Sequence, residues 1–512
     1  MKKLITVILI INLIFLVLAG CTGTTGGGNQ VENNTTTAAV TEADNPIKPT
    51  GAPSVVTFTP GGEKTDRMRE FVEKEIGPYL LDKFNITFNI EYMPWGETSE
   101  IRMASGEDIA SFGEVDSMSR YKAKGYITDM TDYLQKFGPN LVQKMDPTSF
   151  KAFQLEGRQY GIPIGNKNNA SEWYQVAVRQ DLLEEAGMKE IHNIDDLEEF
   201  YTKCKDLHPD YVGFGEGSAT EMFGPAKMMA YTISEKNVQW LDGYTFLDVN
   251  SDDDKVYSFL ESEEFKKVVD ISNKWQKMGI MSKQWMSDPA SGSTKFEAGQ
   301  GMFRSGNAGR PWEMFPTLNS NEPKARIVNY RLGDTTGRPR HSRGMYSTCF
   351  LISSSAKDPG AYIRVINDMY ESQEIYDYWT YGIEGVDYEL TENGRLAGKK
   401  NDGVVFQEWV TCHIDYMRWD EKLPQDYIDA YMKFNDGCVP QKDIGFAFNM
   451  DNVKDLYSQM EAVRTEYFTP MIVGLKSYED GYDDAIRRMK EAGLDDYMAE
   501  FQKQFSEFYA KK

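Results

Sequence analysis

The chain has 512 residues, 56 of them basic and 79 acidic, for a formal net charge of −23. That balance excludes nucleic acid and anionic lipid surfaces as principal partners, because both select cationic patches. Four histidines, and five cysteines without a C-x-x-C pair, leave little material for zinc chemistry, a redox centre or histidine-led catalysis.

Residues 1–20 read as an export signal: Lys2 and Lys3, then an apolar run from Leu4 to Ala19. The run ends Leu18-Ala19-Gly20-Cys21, which matches the bacterial lipobox and predicts a lipid-anchored, palmitoylated Cys21. Residues 22–53 carry Gly26-Gly27-Gly28 and Thr35-Thr36-Thr37 and hold no aromatic residue, so they cannot offset their chain entropy by burial. They read as a tether with a reach of roughly 30 Å. No later stretch is long and apolar enough to cross a bilayer.

The body begins with an alternating strand at Ser54–Pro60. A helix is expected from about Lys64, breaking at Gly77-Pro78, and then a second alternating strand at Asn85–Tyr92. Strand, short helix and a turn at Gly125 follow within 106–134. Helices are expected at 181–187, 195–207 and 263–278, with a strand at Tyr211–Phe214. A strand at Ser347–Ile352 precedes a helix near Asp358–Tyr370. The last ~60 residues read as helical, with Tyr497, Phe501 and Phe505 three to four apart. Strands alternating with helices in a body this long imply two α/β lobes.

Several segments, taken in order, resemble extracellular solute-binding lipoproteins of ABC importers, of the maltose-binding-like, long oligosaccharide type. They are Ser105–Ile109 with Lys124–Met130, Tyr160-Gly161-Ile162-Pro163, Arg179–Gly187, Lys295–Phe303, Tyr381–Tyr388, and Ala492–Tyr497 with Phe501–Phe505. The resemblance implies a two-lobed α/β periplasmic-binding-protein fold (type II) with extra C-terminal helices. The expected N-lobe is 54–165 plus 345–390, and the C-lobe 166–344 plus 391–512. It further implies a lipid-anchored monomer outside the membrane that takes a carbohydrate to an ABC permease, with no enzymatic activity. A tethered glycoside hydrolase and a ligand-presenting sensor are the rival readings.

Sugars need aromatic platforms for their C–H faces and polar side chains for their hydroxyls. By likeness to the family, Trp312 after the Gly-rich loop 304–311 is the first candidate platform. Trp173 and Tyr174 follow the crossing strand, and Phe448 precedes a C-terminal helix. Glu114 and Asp116 follow the strand at 108–112, and Glu221 and Phe223 follow the strand at 211–214. Arg304 is the candidate cation; with Arg310, Arg338, Arg340 and Arg343 it would suit an acidic sugar or offset nearby carboxylates. Glu384 reads as a structural turn residue. Asp252-Asp253-Asp254 reads as a solvated loop, since a calcium loop needs spaced carboxylates and a glycine. No metal and no cofactor are expected.

Overall fold

The computed structural model describes residues 50–62, 64–93, 99–113, 115–170, 175–214, 223–281, 295–306, 310–333, 337–401 and 403–511. Both expected first strands form: β1 (Ser54–Thr59) and β2 (Ile86–Ile90) run parallel, with Val56 opposite Phe88. Their alternation has the expected cause, since Ile86, Phe88 and Ile90 are buried while Thr87 and Asn89 are exposed.

The helix between these strands departs from the sequence reading. It does not break at Gly77-Pro78 but runs from Asp66 to Phe84, with a π-helical turn at Val72–Ile76. Pro78 has no N–H to give the preceding turn, and the widened turn absorbs that loss. Gly77 permits it, because a β-carbon there would lie 2.9 Å from the Val72 carbonyl oxygen. Asn85, in the left-handed conformation at φ 55°, ends the helix.

Next to β1 lies β3 (Ala110–Gly113), again parallel. Two long antiparallel strands, β4 (Gly161–Ala170) and β9 (His341–Ile352), then extend away from this sheet; β9 also pairs with β3. Strand β9 begins six residues before the expected Ser347. A second sheet is built in the order β8 (Ile327–Arg331), β5 (Gln175–Arg179), β7 (Gly301–Gly306), β6 (Val212–Phe214). Short strand β10 (Val439–Pro440) pairs with the start of β9.

Each sheet has its own core. The first gathers Val56, Phe58, Phe350 and Trp379, and also Leu396, Val404, Phe406, Val410 and Tyr416. Leu396, Val404, Phe406, Val410 and Tyr416 thus pack in the core of the first sheet, while Cys412 and Ile414 join another cluster. The second core gathers Val176, Val178, Trp275 and Phe303 and is completed from the C-terminus by Met489, Tyr497, Phe501 and Phe505. A third cluster lies along 412–431 and carries Trp312, Phe315, Cys412, Ile414 and Tyr431. No helix among the described residues is long and apolar enough to cross a membrane.

Candidate functional site

Register fixes where the ligand-facing loops must lie. Cys349 on β9 is level with Gly113 on one side and Pro163 on the other. Gly113 closes β3, so this level is the C-terminal edge of the parallel strands, where open α/β sheets bind ligands. Past it, β4 and β9 continue as a ribbon, pairing Lys167 with Tyr346, Asn168 with Met345 and Ala170 with Ser342. The ribbon leads to the edge of the second sheet, where Gln175 pairs with both Gly306 and Arg331. Gly306 ends β7 and Arg331 ends β8 at that edge. The C-terminal edge of the parallel strands and this edge are therefore joined by one ribbon.

The ribbon kinks where it leaves the first sheet. Gly165 has φ +75°, and a β-carbon there would lie 2.5 Å from the Cys412 carbonyl oxygen. Its N–H donates to the Tyr370 hydroxyl at 2.8 Å, and the register shifts between Tyr346 and Thr348. Beside the kink, fully buried His413 sits within 3.0 Å of both Asn166 Nδ2 and the Lys144 carbonyl oxygen. Burial lowers the pKa of this imidazole.

The third connection, 431–443, is bound to the ribbon by side chains. Asn168 donates to the Tyr431 carbonyl at 2.6 Å and Asn435 to the Gly344 carbonyl at 3.0 Å. Arg343 donates to Gln441 Oε1 at 2.9 Å and to Asp443 Oδ2 at 2.7 Å. Fully buried His341 donates from Nε2 to the Val238 carbonyl at 3.1 Å and accepts from Gln441 Nε2 at 3.1 Å. Burial pushes its pKa down to about 4. Both ring nitrogens are committed to the neutral tautomer.

Two further arginines of the sequence cluster reach backbone carbonyls. Arg338 donates to the carbonyls of Tyr231 (3.0 Å), Ser234 (3.0 Å) and Lys236 (2.7 Å), and Arg340 to that of Asp436 at 2.6 Å. Together with Arg343 they brace the segment leading into β9 against the 231–236 and 436–443 segments. Arg304 on β7 is 6 % exposed and reaches Met314 Sδ at 3.2 Å.

The sequence candidates divide into three groups. Trp173, Tyr174, Glu114 and Glu221 lie outside the described residues. The backbone of Asp116 is in the helix Val115–Ala123 and that of Phe223 opens the helix Phe223–Ile233. Trp312, at 7 % exposure in the third cluster, is packed rather than offered as it stands. Phe448 stacks on Phe501 at 4.3 Å and meets Tyr497 edge-on, so its ring is committed to the C-terminal helix. Glu384 is exposed in a turn where Gly382 and Gly385 have positive φ and Asp387 caps the Ile383 N–H while pairing with Arg67.

One group at the first edge was not picked out from sequence. Trp409 is half-buried, its indole N–H donates to Gln407 Oε1 at 2.9 Å, and Phe112 meets it edge-on at 5.7 Å. The Lys167 ammonium lies 5.3 Å from the indole centroid. The legible signal was a tryptophan in Gln407-Glu408-Trp409, at the start of the helix Glu408–Thr411. Among the described residues no cluster of three or more His, Cys, Asp or Glu side chains could hold a metal ion.

Known proteins are similar along most of the chain. Residues 76–324 match the family described as bacterial extracellular solute-binding protein, and 443–510 match a domain of unknown function, DUF3502. A carbohydrate ABC transporter substrate-binding protein of Streptococcus pneumoniae serotype 4 is 23 % identical over 466 residues, covering 88 % of this chain and 90 % of that protein. The polygalacturonan/rhamnogalacturonan-binding protein YtcQ of Bacillus subtilis is 22 % identical, covering 56 % of each chain. The crystal structure of the N-glycan transport solute binding protein NgtS from Streptococcus pneumoniae superposes with a TM-score of 0.71 at 21 % identity, over 90 % of this chain and 100 % of that one.

Proposed function

We propose that the chain is a bacterial extracellular solute-binding protein of the two-lobed, maltose-binding-like type, which captures an oligosaccharide and hands it to an ABC permease. The observation that carries the proposal is the pair of sheet edges joined through β4, β9 and the 431–443 connection. A ligand touching both edges favours the state that brings them together, as in other hinged two-lobe binders. The role is binding without turnover, since delivery requires that the sugar leave unchanged.

The lipobox at Cys21 and the 22–53 tether support a lipid anchor on the extracytoplasmic face of the membrane, within reach of a permease. That address suits a delivery role as well as it suits capture.

The test follows the tryptophan fluorescence and melting temperature of the soluble body across a panel of oligosaccharides, with reducing ends assayed in parallel. A ligand at ~100 Kd is expected to add about 2.7 kcal/mol of stability, with no new reducing ends. Release of sugar would establish a hydrolase instead, and the absence of any response to carbohydrate would remove the proposal.

A further inference from the structure

We propose that His413 is a positioning residue for ligand capture: its neutral ring clamps strand β4 at the kink of the ribbon, and uptake of a proton releases the clamp and weakens capture. The inference rests on carbohydrate capture and adds a residue that makes it sensitive to acid.

The segment 412–414 lies where the two sheets' packing meets. Cys412 and Ile414 share a cluster with Ala177 of β5 and Ile327 of β8, both from the second sheet. His413, between them, turns the other way. Its ring lies 5.5 Å from that of Tyr370 and 5.2 Å from that of Tyr416, both members of the first core. Its backbone N–H donates to the Tyr376 hydroxyl at 3.2 Å. Strand β4 threads this junction: the Asn166 N–H donates to the Cys412 carbonyl at 2.8 Å, and the Ile414 N–H to the Asn166 carbonyl at 2.9 Å. Gly165, where the ribbon bends, is the residue before Asn166. A rotation of one lobe against the other about this ribbon passes through the point that His413 holds.

Side chains close the clamp. His413 Nε2 and the Asn166 amide share the carbonyl of Lys144, the last residue of the helix Pro139–Lys144, at 3.0 and 3.2 Å. His413 Nδ1 accepts the Asp415 N–H at 3.3 Å. Those partners suit the neutral ring with its hydrogen on Nε2. The charged and titratable groups facing the ring are the Asp415 carboxylate, 4.0 Å from Nδ1, the Lys144 ammonium, which lies over the Tyr416 ring, and the phenols of Tyr370, Tyr376 and Tyr416.

A second proton has to go to Nδ1, where it meets the Asp415 N–H. One hydrogen bond is replaced by two opposed donors. The acceptor that suits the cation is the Asp415 carboxylate, which is 72 % exposed. Turning Nδ1 toward it carries Nε2 off the Lys144 carbonyl and separates the ring from Asn166. The ribbon is then free to bend differently at Gly165, and the apparent affinity falls with the fraction of molecules still held in the capturing geometry. Burial keeps the ring neutral below the ordinary 6.5. Capture is therefore at full strength at and above that pH and weakens as the pH falls below it.

The test is calorimetric titration of the full-length protein at pH 7.5 and pH 5.0 with neutral trisaccharides of glucose, galactose, mannose and N-acetylglucosamine, which have no titrating group of their own. Wild type is expected to bind its best trisaccharide about tenfold more weakly at pH 5.0. His413→Gln keeps an amide donor for the Lys144 carbonyl and cannot take up a proton, so its affinity should match wild type at pH 7.5 and stay there at pH 5.0. His413→Ala should bind weakly at both. Equal wild-type affinity at the two pH values would overturn the proposal without recourse to any variant. So would an acid loss that persists in His413→Gln or is abolished by His341→Gln instead. Either result leaves carbohydrate capture standing. If no trisaccharide binds, carbohydrate capture loses its support, and small-angle X-ray scattering of the unliganded protein still decides the clamp. The radius of gyration should then differ between the two pH values in wild type and not in His413→Gln; no difference in wild type would overturn it.

Discussion

The two lobes bury a tryptophan by the same device at different depths. In the first, Trp379 donates to Asp368 at 2.9 Å, and the same carboxylate accepts from Lys83 at 2.8 Å and Tyr79 at 3.1 Å. In the second, Trp275 donates to Glu198 at 2.9 Å, and Lys274 pairs with the other carboxylate oxygen. The difference is water. The Asp368 side chain is fully buried beside a Lys83 that is 30 % exposed, whereas Glu198 faces a Lys274 that is 55 % exposed. Burial raises the Asp368 pKa despite its three donors. A carboxylate sunk that far is costly to ionise, yet its neighbours cannot do without it.

That contrast can be broken in order of expected effect. Asp368→Ala should destabilise by about 3–5 kcal/mol, because it strands an indole N–H and a half-buried ammonium. Asp368→Asn keeps an acceptor and should cost about 1–2 kcal/mol. Urea unfolding followed by tryptophan fluorescence measures both, and equal losses would show that charge rather than the acceptor matters.

The seam between the lobes should respond to acid. His341 has its pKa lowered from an ordinary 6.5 to about 4, so the unfolded chain takes up its proton first. The neutral ring's contribution is fully present above pH 6.5 and is lost as the pH falls toward 4. The expected loss is about 3 kcal/mol. His341→Gln should flatten that part of a melting-temperature profile, and an unaltered profile would place the acid sensitivity elsewhere.

The smallest effect belongs to the shallow pair. Glu198→Ala should cost about 1–2 kcal/mol, since Lys274 can turn to water and only the indole N–H is left without its acceptor. A loss matching that of Asp368→Ala would erase the distinction between the lobes.

Local pattern announced what local forces decide. The alternation in Ser54–Thr59 and Ile86–Ile90 named both strands, because one face of each is buried. The ordered family-like segments gave the two-lobed fold. The helix from Asp66 was misjudged at Gly77-Pro78, because a π-helical turn is chosen by packing and leaves no periodic signal. The arginines near 340 could not be assigned from sequence because their partners, the carbonyls of 231–236 and of 436, are about a hundred residues away. Trp409 was passed over for the same reason: its neighbours Phe112 and Lys167 join it only through the sheet edge.

The loop holding Asp252-Asp253-Asp254 has a tenant of its own. The Lys442 ammonium donates to the backbone carbonyls of Asp248 (2.9 Å), Ser251 and Asp253 (3.2 Å). An ion free in solution would occupy such a ring of oxygens according to its supply. An ammonium tethered to the chain arrives when the chain folds and cannot be diluted or chelated away. The shape of this loop is thus independent of the mineral content of the medium, an advantage for a protein that works outside the cell's own ionic control.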